Sequence, residues 1–224
     1  MLNKIYKYFL RLRKHPTMKN TFYLTLGGII SQLISLIGLF YIPNLLGLEN
    51  YGIFQIVMGY VSVFAVFTFN GVNKIILRES SRDLSQTKDI IECIIGFKNL
   101  CSIISIFISI GFLFFMNYDN TTNIYIALFS ITLLINGLNG TVSIIYQAFE
   151  KMKPIAIFNI LGNSFRVLGS IFSLMLGYGV LSLILIQLVV NLIILLVNYR
   201  YSKKYVKFNI LSKVTFVKAY IRQG

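Results

Sequence analysis

The chain has 224 residues, 56% of them hydrophobic and 12% charged, and its mean hydropathy of +0.75 excludes an ordinary soluble globular domain. Lys and Arg number 21 against 7 Asp and Glu, a balance that in a soluble chain would point to nucleic acid. Here the basic residues sit in short connecting segments and at the two ends. A membrane protein distributes its cytosolic positive charge in this way, so the expected partner is anionic membrane lipid and not nucleic acid.

Residues 1–20 carry Lys4, Lys7, Arg11, Arg13 and Lys14 interleaved with Ile5, Tyr6, Phe9, Leu10 and Leu12. That pattern fits an interfacial helix on anionic lipid or a disordered basic leader. The apolar run that follows, roughly 25 residues long, exceeds the hydrophobic region of a signal peptide and is expected to stay in the mature protein. Crossing a hydrocarbon core of about 30 Å takes roughly 20 helical residues. Six stretches meet this need, near 22–46, 53–76, 91–116, 124–149, 155–176 and 180–199. The expected fold is therefore all-α, a polytopic bundle of six transmembrane helices over 21–199. It lies between the basic leader 1–20 and a basic segment 200–224 that serves as a cytosolic tail or as a connector to a second bundle.

The connections alternate in character. Residues 46–52, 117–123 and 177–179 hold no Lys or Arg, whereas 74–88 holds four, 150–154 two and 200–224 seven. The positive-inside rule then places both termini in the cytosol. Cys93 and Cys101 lie eight residues apart in one apolar segment, a spacing of neither a disulfide framework nor a metal site, and they read as packing residues.

Polar and small residues fall on one stripe per helix when each segment is turned at 100° per residue. The first has Thr25, Gly28, Gln32 and Ser35; the second Gln55, Gly59, Ser62, Asn70 and Asn73; the third Lys98, Ser102, Ser105 and Ser109. The fourth has Thr132, Asn136, Asn139, Ser143 and Gln147; the fifth Asn159, Gly162, Asn163, Arg166, Ser170, Ser173 and Gly177; the sixth Gln187, Asn191 and Asn198. Such stripes can be plain helix-packing surfaces, because small residues let backbones approach and amides bond across helices. In the fourth and fifth helices, amides run the full depth and a guanidinium joins them, which points to walls of a wet cavity.

Arg166 lies about 18 Å of helix from the start of its segment and cannot easily snorkel to either surface. No Asp or Glu stands mid-helix to pair with it. It either faces water and meets an anionic substrate such as a phosphate or acidic sugar, or binds backbone carbonyls or an acid from a partner. Lys98 is nearer the cytosolic end and can either snorkel or line the same cavity. The candidate substrate-binding residues are thus Arg166, Lys98, Asn136, Asn139, Gln147, Asn159, Asn163 and Gln32. No nucleotide-binding loop of the G-x-x-x-x-G-K-[ST] type occurs, the sole histidine, His15, sits in the leader, and the carboxylates lie in loops or at helix ends. Neither a catalytic site nor a metal or cofactor site is expected.

Between the first two helices the chain reads LGLENYG at 46–52, which resembles the LG-x-x-x-YG turn of bacterial polysaccharide and O-antigen flippases. The likeness runs from about residue 18 through RESSRD at 78–83, YQAFEKMKPIAIFNI at 146–160 and GYGVLSL at 177–183. That family shares a superfamily with multidrug antiporters and lipid II flippases. The resemblance implies two related bundles around a central cavity that opens alternately to each side of the cytoplasmic membrane as a polyprenyl-pyrophosphate-linked oligosaccharide is turned over. It also implies that cationic cavity residues, here Arg166 and Lys98, meet pyrophosphate or acidic sugars. Family members carry twelve to fourteen helices and this sequence supplies six. A second six-helix bundle or a homodimer partner is therefore expected, with a truncated reading frame or a partial sequence as the simplest account. A multidrug or cation antiporter, a membrane scaffold for glycan assembly and an enzyme of that assembly are the competing readings.

Overall fold

The structure, a computed structural model, describes residues 16–68, 72–82, 87–206 and 208. Most of the basic leader and most of the basic tail, with the two readings offered for the first and the connector role for the second, lie outside the described residues, as does Asn70. Among the described residues the fold is all-α, with seven helices and no strand. They are α1 (Pro16–Leu46), α2 (Leu48–Phe64), α3 (Val72–Arg82), α4 (Thr87–Phe112), α5 (Asn120–Ala148), α6 (Lys153–Met175) and α7 (Val180–Ser202). All but α3 are long and apolar enough to cross a membrane, giving six spans in a multi-pass membrane protein.

The second apolar stretch, expected to run to residue 76, instead closes in a 3-10 turn over Ala65–Thr68. Side chains hold that ending in place. Thr68 Oγ1 donates to the Ala65 carbonyl at 2.7 Å, and Ser105 Oγ of α4 donates to the Phe64 carbonyl at 2.6 Å. Both acceptors are carbonyls of the kind a helix end leaves without an intrahelical partner. The residues that follow form α3, a separate amphipathic helix. Its buried Ile76 packs with Ile90 of α4 and Ile144 of α5, while Glu79 bridges the exposed Arg78 and Arg82.

The LGLENYG segment is a one-residue hinge. Gly47 adopts φ +80°, a conformation that costs glycine little and other residues much. Its N–H bonds the Pro43 carbonyl at 2.9 Å to close α1, and its own carbonyl accepts from Tyr51 N–H at 3.0 Å to open α2. Asn50 Nδ2 donates to the Leu46 carbonyl at 3.3 Å, and Gln55 Nε2 to Tyr51 Oη at 2.5 Å. At the start of α5, Asp119 caps the helix, accepting from Thr122 N–H at 3.3 Å, from Thr122 Oγ1 at 2.5 Å and from the Thr121 hydroxyl. These hydroxyl donors, Thr121 foremost, hold its carboxyl down at about 2.

Pairwise contacts fix the directions of the spans. α1 runs parallel to α6: Asn20 Nδ2 donates to the Glu150 carbonyl at 2.7 Å, and Asn163 Nδ2 to the Ser31 carbonyl at 2.5 Å and to Ser35 Oγ at 2.8 Å. Gly27 lies where an added Cβ would come within 2.7 Å of Ala156 Cβ, so only the absence of a side chain lets these backbones meet. α5 and α7 are also parallel, since Asn139 reaches Asn191 and Tyr146 reaches Asn198, in both cases 52 residues along the chain. Successive spans run antiparallel: α2 against α4 through Tyr60 with Ser109 and Phe64 with Ser105, α4 against α5 through Ser109 with Ser130 and Ser102 with Gly137, and α6 against α7 through Gly162 with Ile194 and Gly169 with Ile186.

The spans therefore alternate in direction, and one end of the bundle collects Lys74, Arg78, Arg82, Lys88, Lys151, Lys153, Arg200, Lys203 and Lys204. We call this the basic end. At the opposite end the connections hold no Lys or Arg. α5 is the central element, 61% buried in its span against 11% for α1. It joins an apolar cluster toward the opposite end (Phe54, Val57, Ile126, Phe129, Leu183) to one toward the basic end (Ile91, Ile95, Val142, Ile145, Leu195). Packing of this kind holds the polar residues between the two clusters at fixed depth.

Candidate functional site

A guanidinium deep in a membrane protein requires acceptors, and the sequence offers no carboxylate at that depth. Arg166 stands thirteen residues into α6, about 20 Å of helical rise from its basic end. It is half-buried, and its Nη1 donates to Asn191 Oδ1 of α7 at 2.7 Å. Asn191 is 8% exposed, so the charged bond is largely sheltered from solvent and correspondingly strong.

From Asn191 the polar contacts continue along α5 and α7 toward the basic end. The Asn191 carbonyl accepts from Asn139 Nδ2 at 3.4 Å, Asn139 Oδ1 accepts from Asn198 Nδ2 at 3.2 Å, and the Asn198 carbonyl accepts from the fully buried Tyr146 hydroxyl at 2.7 Å. Asn139 uses both sides of its amide, donating through Nδ2 and accepting through Oδ1, while Asn191 accepts through its side-chain oxygen and Asn198 donates through its side-chain nitrogen. Among the described residues Asn191 is the sole hydrogen-bond partner of Arg166, and the guanidinium makes no ion pair. A guanidinium has five N–H donors, so the remaining donors are available to an anion.

The other candidate residues fall in three places. Asn163 ties α6 to α1 through Ser31 and Ser35, and Gln32 beside that junction is exposed, as is Asn159 one turn along α6. On α5, Asn136 is exposed and Gln147 half-buried. Lys98 is 1% exposed and lies inside the bundle, where its Nζ donates to Asn73 Oδ1 of α3 at 2.7 Å. Arg166 and Asn139 are thus brought together through Asn191, whereas Lys98 belongs to a separate contact that anchors α3. The stripe Lys98, Ser102, Ser105 and Ser109 is buried throughout. Ser105 and Ser109 are engaged with Phe64 and Ser130, the pattern of a helix-packing seam.

Asn191, Asn198, Tyr146 and Asn73 complete these networks without being among the candidate binding residues. The signal for the first two lay in the sixth-helix stripe. Tyr146 gave none, standing in an apolar run where only its hydroxyl is polar.

The backbone has the fold of one half of two solved proteins. A crystal structure of a MATE mutant superposes with TM-score 0.65 at 17% identity, over 94% of this chain and 51% of that one. A MOP superfamily transporter from Pyrococcus furiosus, described by the reversed polarity of its binding pocket, superposes with TM-score 0.62 at 18% identity, over 93% of this chain and 49% of that one. The chain spans about half the length of each. No curated protein matches it in sequence. A family model described as polysaccharide biosynthesis protein covers residues 17–224, and the chain belongs to that family.

Proposed function

We propose that the chain forms one lobe of a flippase that moves a lipid-linked oligosaccharide across the cytoplasmic membrane by alternating access. The observation that carries this reading is Arg166, a guanidinium at depth whose partner is an amide oxygen. Such a group is spent on structure if a carboxylate neutralises it, and offers its charge to a ligand if an amide merely orients it. A polyprenyl-pyrophosphate headgroup supplies that anion. The opposing wall comes from a second six-helix bundle or a second copy of the chain, in keeping with the half-length match to the solved transporters. Both chain ends and the basic end then face the cytosol, where anionic lipid meets the lysines and arginines.

A multidrug or cation antiporter is the second reading, favoured by the likeness in fold to the MATE structure. Ion coupling calls for an intramembrane carboxylate, and the seven Asp and Glu of this sequence lie in connections or near helix ends. The test is complementation of surface polysaccharide in a bacterium lacking its own flippase. Residues 1–224 are expressed alone and together with the carboxyl-terminal half of a family member. Rescue in either form is expected to be lost in Arg166→Leu with the protein still inserted. Rescue that survives Arg166→Leu would instead favour a scaffold, and ion-driven drug efflux without polysaccharide would favour the antiporter.

A further inference from the structure

Two cavities meet at the basic end of α6 and α7. One, of about 690 Å³, has a mixed wall in which the polar groups of Asn20, Lys151, Lys153, Tyr201 and Tyr205 stand among apolar surface that includes Ile157. The other, of about 510 Å³, is a groove between α6 and α7 whose walls are apolar side chains from Phe158 and Val197 to Gly169 and Leu185. Phe158 and Val197 line both, so the cleft with its lysines and tyrosines continues into the apolar groove. Arg166 lines neither, which sets this region apart from the polar network.

The dimensions and charges fit one kind of molecule. From Phe158 to Gly169 the groove follows about 16 Å of helix, close to half of a hydrocarbon core of about 30 Å, the reach of one acyl chain in one leaflet. The cleft above it presents Lys151 and Lys153, and Lys204 Nζ lies 4.8 Å from the centre of the Tyr201 ring on its wall. Among the described residues that line the cleft, Lys151 and Lys153 stand against one carboxylate, Glu150, whose residue sits in a left-handed turn at φ 52° with its carbonyl held by Asn20. Tyrosine at the membrane–water boundary and cations above an apolar slot are the elements that bind an anionic headgroup while its chain stays in hydrocarbon.

We propose that the cleft and groove together bind one anionic diacyl glycerophospholipid from the leaflet at the basic end, its phosphate near Lys151 and Lys153 and one acyl chain between α6 and α7. This site does not depend on the flippase reading. Its occupant holds the parallel pair α1 and α6 against α7, because the cleft is shared by Asn20 and Tyr23 of α1, Pro154 of α6 and Tyr201 of α7.

The test uses the full chain in detergent, titrated with phosphatidylglycerol, phosphatidylcholine of the same acyl chains, or polyprenyl phosphate, and bound lipid counted by native mass spectrometry. Phosphatidylglycerol is expected to be retained in preference to phosphatidylcholine. Lys151→Gln and Lys153→Gln should each weaken that retention about fivefold, and Lys→Arg at either position should keep it. Ile193→Trp, which fills the groove from an exposed position, should reduce retention with both lysines intact. Equal retention of the two phospholipids would overturn the proposal, as would retention unchanged in the glutamine variants or displacement of phosphatidylglycerol by equimolar polyprenyl phosphate. Unfolding without added lipid identifies any variant that fails to fold, in which case the Lys→Arg pair and the two-phospholipid comparison still decide.

Discussion

Substituting Asn191 by Leu removes the acceptor 2.7 Å from Arg166 Nη1 at a position that is 8% exposed. The bond from Asn139 ends on the Asn191 backbone carbonyl and survives the change, so the perturbation is confined to the guanidinium. A hydrogen bond to a charged group contributes about 1.5–3 kcal/mol. Arg166 is half-buried and regains part of this by turning toward solvent, which sets the expected cost near 2 kcal/mol. In an Arg166→Leu background the same substitution replaces an amide whose charged partner is already gone, and its cost should fall below about 0.5 kcal/mol. The coupling, roughly 1.5 kcal/mol or more, is read from equilibrium unfolding of the four proteins in mixed micelles as a double-mutant cycle. Equal costs of Asn191→Leu in the two backgrounds would refute the reasoning, because they would mean that Asn191 acts through packing alone.

Gly27→Ala places a Cβ within 2.7 Å of Ala156 Cβ and 3.1 Å of its Cα, and is expected to destabilise the bundle by about 1–3 kcal/mol. Ala156→Gly should recover most of that loss in the same unfolding assay. Lys98→Met breaks the bond to Asn73 and should release α3 from α4, seen as faster tryptic cleavage at Arg78 and Arg82 with the spans still protected. Asp119→Ala removes the α5 cap and should lower amide-exchange protection of the first turn, at Thr122 and Asn123. Since the folded carboxyl titrates at about 2, below its ordinary value near 3.9, the cap's stabilisation is complete above about pH 4. It should fade as pH drops toward 2 and be absent from the pH profile of the Ala variant.

Hydropathy and the loop charges make most of the architecture legible in the sequence, because length and apolarity are what a bilayer demands of a span. The end of the second span is not. Ile76 and Leu77 prolong the apolar run past Gly71 and Asn73, and nothing local distinguishes membrane-facing apolar residues from the buried face of the amphipathic α3. The polar stripes were visible as faces, yet periodicity cannot say what a face meets. Ser105 and Arg166 looked alike as polar residues on a stripe; one donates to the Phe64 carbonyl within a packing seam and the other extends toward Asn191 with donors to spare. Asn191 was on the sixth-helix stripe, but its importance comes from lying opposite Arg166, a relation between two helices that no single-helix pattern encodes.

The parallel pairing of α1 with α6 bears on how the chain is made. Its three amide contacts join residues 130, 132 and 128 positions apart. At a synthesis rate of about 5–20 residues per second, α1 emerges roughly ten seconds before the surface it packs against exists. For that interval Asn20, Ser31 and Ser35 face lipid or the insertion machinery without their final neighbours. α1 is thus seated well after it is made, and a slow elongation tract between residues 46 and 153 lengthens the period during which it is open to misassembly.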